Sequence, residues 1–309
     1  MKKILLLMAF MLSFVVFACG EAKDEPMYLE QETVGDSIRI DRAKLTRFKT
    51  LPRALSQAMA VYGDFIILFT YDTSNAIAYL YKLSDGTLLA NLCLPNATYK
   101  RPHCNAASFS RVFNSANSIL PLLYVSQWYN DSEKGCFVYD ITLNNGTYSV
   151  NLVQTILPTN VSSATLGAGQ MDWVVDPVGY IYSVGYLVNN GARITTNNKT
   201  VITKFALPKV SDGSVVTFGD ADVLDCFEIP VFIYRQDLCF ESGRILMLAG
   251  MTNNTAPRRF VIINPEKHCI SSLASLEFIN EEPEGIGVID GKILVGFNGD
   301  AVVYHLELM

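Results

Sequence analysis

Short apolar runs broken by Gly, Asn and Asp, a hairpin unit that recurs along the chain, and incomplete strand sets at both ends together predict an all-β fold: a single β-propeller, most simply of six blades. No stretch keeps a helical period. The chain has 309 residues, 50% of them hydrophobic and only 17% charged. That balance excludes intrinsic disorder and supplies a large core. Lys and Arg number 24 against 30 Asp and Glu, a net charge of −6, and no basic cluster is present. Nucleic acid is therefore excluded as a partner, because nothing would neutralise its phosphates.

In chain order, Lys2 and Lys3 precede an apolar run from Ile4 to Ala18, which ends at Cys19. The run is shorter than the roughly 20 residues of a membrane span and reads as an export signal. The segment Val16 to Gly20 resembles the lipobox of bacterial lipoproteins, in which the cysteine becomes the lipidated first residue of the mature chain. The resemblance implies a signal peptide over 1–18, lipidation of Cys19, and a membrane contact through the lipid. The stretch from Glu21 to Pro26 is charged and non-periodic, so 19–35 reads as a flexible tether. Acidic residues just after Cys19 resemble the surface-export signal of Bacteroides-type lipoproteins. The implied address is the outer membrane, facing either the cell surface or the periplasm.

The domain proper is expected over 36–309. Ser37 to Ile40 and Leu45 to Phe48 cannot start a blade by themselves. They are expected to give an outer strand to the last blade, whose own sequence stops at Met309 after three strands. That pairing would close the ring and remove an open sheet edge. The repeating unit, two short strands around a Gly turn, starts at Gln57, Gln170, Gln236 and Pro283. Glycine supplies the positive φ that tight hairpins need, and Asp290 with Gly291 is the strongest such signal. A fifth unit is split by an inserted loop, with Asn105 to Phe109 as its first strand and Pro121 to Ser126 as its second. A sixth blade is expected either as a degenerate unit around Val215 to Ile233 or through completion by the N-terminus.

Together the lipobox, the hairpin from Met59 to Asp64, the His103 to Asn105 segment before Pro121 to Ser126, and the Glu282 to Gly285 segment resemble TolB-like six-bladed propeller lipoproteins of Bacteroides-type bacteria. The resemblance covers most of residues 37–309. It implies a fold and an address and carries no reaction onto any residue.

First strands line the channel of a propeller, so polar residues at their entries converge. Here these are Gln57, His103, Asn105, Gln170, Asp172, Gln236, Asp237, Glu282 and Glu284. They form a candidate ligand ring, or simply the wet mouth of a channel. Glu282 and Glu284 offer the oxygen donors a hard cation such as calcium prefers. The same segment resembles the metal-binding Glu-Gly entry of lactonase-type propellers. His103 is a candidate general base or a hydrogen-bonded structural histidine. Trp128 is a candidate stacking platform, and Trp173 belongs to the core. The cysteines beyond Cys19 read as small buried hydrophobes, with a Cys93–Cys104 bridge as the alternative.

The functional expectation is a lipid-anchored binding module that is not an enzyme, taking a peptide, a protein of the envelope or a glycan at one propeller face. Two alternatives stand beside it: a metal-dependent hydrolase or lyase of the lactonase type, and a structural subunit of an envelope complex.

Overall fold

A computed structural model describes residues 27–28, 39–71, 76–95, 103–126, 134–187, 199–230, 232–252 and 256–309. The fold is all-β, a single propeller of five blades. The N-terminal region contributes β1 (Met27–Tyr28), β2 (Arg39–Asp41) and β3 (Ala43–Thr50) to blades formed later in the chain. The first blade is β4 (Met59–Tyr62), β5 (Phe65–Tyr71), β6 (Ala76–Lys82) and β7 (Leu88–Cys93), all antiparallel. The second is β8 (Ala107–Phe109), β9 (Leu123–Ser126), β10 (Cys136–Asn144) and β11 (Thr147–Asn160). A single helical turn, α1 (Ser163–Leu166), leads into the third blade.

That blade holds β12 (Ala168–Asp176), β13 (Tyr180–Leu187) and β14 (Lys199–Ala206). The chain then makes β15 (Val215–Gly219), which leaves the third blade and pairs in parallel with β11 of the second. It returns as β16 (Val223–Pro230), the outer strand of the third blade. The fourth blade is β17 (Arg235–Glu241), β18 (Arg244–Met251), β19 (Ala256–Asn264) and β20 (Cys269–Ser275). The fifth is β21 (Pro283–Ile289), β22 (Lys292–Phe297) and β23 (Val302–Leu308). Strand β3 pairs antiparallel with β23, and β1 pairs with β3.

The blade count corrects the expected six. The segment around Val215 to Ile233 is no blade; it is divided between the outer edges of the second and third blades as β15 and β16. Outer strands alternate buried and exposed, as β16 does, so on sequence alone they look like the strands of a blade of their own. A second correction concerns the N-terminus. Leu45 to Phe48 lies in β3 on the last blade as expected, but Ile40 lies in β2, which runs parallel to β20 of the fourth blade.

Five apolar clusters fill the spaces between neighbouring blades. Phe69 and Leu80 meet Phe137 and Tyr139 between the first and second. Trp173 and Phe205 meet Tyr124 and Val138 between the second and third. Val184 packs with Met247, and Phe260 with Ile286, in the next two interfaces. Met59 and Ile66 pack with Leu294 and Val303 between the first and last blades. Both faces of each blade are covered, so inner strands read as apolar runs and not as alternations. Among the described residues, three hairpins turn on two residues of positive φ, at Asn145–Gly146, Ser242–Gly243 and Asp290–Gly291. That backbone matches the right-handed twist of the flanking strands.

Gly285 and Gly287 serve a different need. A Cβ on Gly285 would stand 2.6 Å from the Met59 Cβ, and one on Gly287 2.5 Å from Val61 Cγ2. The glycines let β21 lie directly against β4. No helix among the described residues is long and apolar enough to cross a membrane.

Candidate functional site

The inner strands β4, β8, β12, β17 and β21 each touch the next, and β21 touches β4. Their N-terminal ends carry most of the polar residues singled out in the sequence, and the structure brings these together. Asp237 lies at the centre, fully buried. Its Oδ2 accepts the backbone N–H of Met59 and of Ile286, each at 2.9 Å. Its Oδ1 accepts those of Ala107 at 3.1 Å and Leu238 at 2.8 Å. One carboxylate thus satisfies backbone donors from four inner-strand positions, three of them in other blades. Burial pushes its acid up, and the four N–H groups pull it down. Both oxygens are fully engaged as acceptors, which leaves them poorly placed to ligate a cation.

A second buried group sits beside it. Asn105 Nδ2 donates to Asp172 Oδ1 at 2.8 Å and to the carbonyls of Arg235 at 3.0 Å and Gln236 at 2.9 Å. Asp172 pairs with the Arg235 Nε at 3.1 Å, both side chains having no exposure. The Arg235 guanidinium stacks on the Tyr186 ring at 3.8 Å and donates to the Val184 carbonyl. Gln236 Nε2 donates to Glu282 Oε1 at 2.5 Å. Arg235 escapes a reading of the sequence because its partner Asp172 is 63 residues away and on another blade.

The remaining predicted residues lie at the same end. Gln57 is buried, and its Oε1 has no donor among the described residues. Burial pushes the His103 imidazole down to about 4, against a hydrogen bond with Asn105 that raises it. Glu284 is nearly buried, and burial together with the charges of Glu282 and Asp237 holds its acid well above the ordinary carboxylate range. Among the described residues no group of three or more His, Cys, Asp or Glu is arranged to hold a metal ion. The side chain of Gln170, and Cys19 and Trp128 entirely, lie outside the described residues. Trp173 is in the core, its Nε1 donating to the Lys134 carbonyl at 2.8 Å. Cys93 and Cys104 are both free thiols, so the alternative of a bridge between them is not realised.

Among the described residues, Asn105, Asp172, Gln236 and Asp237 at the entry end are therefore bonded within the protein. Among the described residues an open cavity of about 270 Å³ lies at the other end, surrounded by the C-terminal halves of all five inner strands. Tyr62, Phe109 and Phe240 supply aromatic wall, and Arg111, Glu241 and Asp290 supply charge. The Tyr62 ring lies 5.8 Å from Phe109 and 6.2 Å from Phe113, whose side chain is about half exposed (47%). Phe240 stacks on Tyr182 at 5.7 Å. Val178, next to the lining residue Pro177, is 72% exposed. Arg111 is exposed and forms no ion pair among the described residues. The sequence held a signal for this site: the first strands end in Tyr62 and in Phe240 and Glu241, and Asp290 opens the turn after another.

No protein-family model and no curated protein matches the chain. Among solved structures, glutaminyl cyclase of Myxococcus xanthus is similar over 89% of this chain and 98% of its own, at 10% identity and a TM-score of 0.48. The holo PQQ domain of pyranose dehydrogenase from Coprinopsis cinerea is similar over 86% of this chain and 90% of its own, at 13% identity and a TM-score of 0.43. The WD40 propeller domain of Doa1 is similar over 81% of this chain, at 15% identity and a TM-score of 0.40; the match spans 62% of that chain. At such identities the likeness concerns the fold alone.

Proposed function

We propose that this chain is a ligand-binding β-propeller whose site is the cavity at the exit end of the inner strands. One observation carries the reading: a 270 Å³ cavity walled by all five blades, with aromatic and charged side chains at its mouth. Binding sites are concave, mostly apolar, and carry a few placed polar groups. The entry end supports the reading by contrast, since Asp237, Asn105 and Asp172 are already engaged within the protein. The metal-dependent hydrolase or lyase alternative finds no comparable support, because Asp237 beside Glu284 is saturated by N–H donors and Glu282 accepts from Gln236. Exposed Val112, Phe113 and Val178 around the cavity favour a second reading, contact with an envelope protein on this same face.

The rest of the proposal follows the sequence. Residues 1–18 direct export and Cys19 carries the lipid, as in the bacterial lipoproteins whose lipobox the chain resembles, and the ring is closed by β3 on the last blade. Display is from the outer membrane.

The test is the thermal midpoint of the full chain against soluble peptides and oligosaccharides, for the native protein and for Ile289→Trp, which enlarges a lining residue of the cavity. A ligand at about 100 times its dissociation constant stabilises by about 2.7 kcal/mol. The proposal expects one class to raise the midpoint in the native protein only. No shift with any addition, or an equal shift in Ile289→Trp, would contradict it.

A further inference from the structure

We infer that the exit cavity takes a small zwitterion, an amino acid or short peptide with free ends, laid across the mouth with its carboxylate towards Arg111 and its ammonium towards Glu241 and Asp290. This rests on the exit cavity being the ligand site and adds the chemistry of the ligand.

The order of the blades carries the inference. Arg111 follows β8 in the second blade, Glu241 ends β17 in the fourth, and Asp290 turns from β21 to β22 in the fifth. Around the ring, β8 lies between β4 and β12, whereas β17 and β21 are neighbours. Arg111, the one cation among the described lining residues, is thus set apart from the two anions in the order of the ring, with β4 between it and Asp290 on one side and β12 between it and Glu241 on the other. Glu241 has one bond, from the Ser242 hydroxyl, and Asp290 none among the described residues. Among the described residues none of the three forms an ion pair, so each is available to a ligand. Between them lie Tyr62, Phe109 and Phe240, which suit an apolar side chain. A neutral sugar would leave all three charges unmatched. A dianion would meet Glu241 and Asp290. A volume of 270 Å³ lies just under the roughly 300–1,000 Å³ of pockets for drug-sized ligands, which suits one or two residues.

The experiment is calorimetry on the full chain at low salt with alanyl-phenylalanine, its N-acetyl form and its C-terminal amide. A charged hydrogen bond lost without replacement weakens binding about tenfold or more. Amidation weakens binding by about that factor in the native protein and has little effect in Arg111→Met. Acetylation does the same in the native protein and has little effect in the double variant Glu241→Gln, Asp290→Asn. Equal binding of all three peptides overturns the inference. So does an Arg111→Met variant that loses all three peptides equally, which marks a structural role for the arginine. If no peptide binds but a neutral oligosaccharide does, and Ile289→Trp abolishes that binding, the charge assignment fails while the cavity stands. If nothing binds, both fail.

Discussion

The carboxylate of Asp237, in the fourth blade, accepts the backbone N–H of Met59, in the first, at 2.9 Å. The same oxygen accepts Ile286 of the fifth blade, and its partner oxygen accepts Ala107 of the second. A single side chain joins four blades at the axis of the propeller. Removing it orphans buried donors, each costing about 1–3 kcal/mol. Asp237→Ala is expected to destabilise by at least about 3 kcal/mol. Asp237→Asn is expected to be costly too, since its amide turns N–H groups towards N–H groups. Denaturant unfolding measures both; a change under about 0.5 kcal/mol in the alanine variant, the range of an ordinary surface substitution, would contradict this role.

Glu284 gives the fold a stability that declines with rising pH. Its acid lies well above the ordinary range, so between the unfolded and folded values the native state holds the extra proton. This contribution is full below the unfolded value and is lost as pH rises through the folded one. Glu284→Gln, always neutral, is expected to raise the thermal midpoint at pH 8 and to leave it nearly unchanged at pH 4. An equal or lower midpoint at pH 8 would count against a strained carboxylate.

His103 acts in the opposite direction. Its imidazole is held down to about 4, so below the ordinary value near 6.5 the unfolded chain takes the proton first. The contribution is present above about 6.5 and is lost as pH falls towards 4, up to about 3 kcal/mol in all. Comparing the stability of the native protein with that of His103→Gln from pH 7.5 to 4 isolates it. The difference should narrow on acidification; a constant difference would mean an ordinary, solvated histidine.

The thiols should separate by position. Cys93, Cys226 and Cys269 are exposed, while Cys104 and Cys136 are buried, and burial pushes both of the latter up. Iodoacetamide should label the first three in the native protein and the last two only in denaturant. Peptide mapping reads the result, and a Cys93–Cys104 bridge in the non-reduced map would contradict it.

The inner hairpins were legible because their signals are local. Asp290 and Gly291, or Ser242 and Gly243, declare a turn whatever surrounds them. The entry cluster was legible too, because Asn105, Asp172, Gln236 and Asp237 sit at equivalent places in their repeats. Their roles were not. Whether Asp237 faces water or backbone donors depends on strands of other blades, two of them more than a hundred residues away. The outer strands were harder still. Ile40, in β2, and Val215, in β15, join neighbouring blades through parallel backbone pairing, which leaves no mark in the order of side chains. The exit cavity exists only where five strand ends meet, and the charge across it follows from blade order, which no single repeat contains.

The most direct measurement is a crystal structure of the full chain grown with alanyl-phenylalanine. The account predicts peptide density in the exit cavity, against Tyr62 and Phe240, with the carboxylate at Arg111. Density at the entry end, beside Gln236 and Glu282, would contradict it, and so would an exit cavity holding water alone at a saturating concentration.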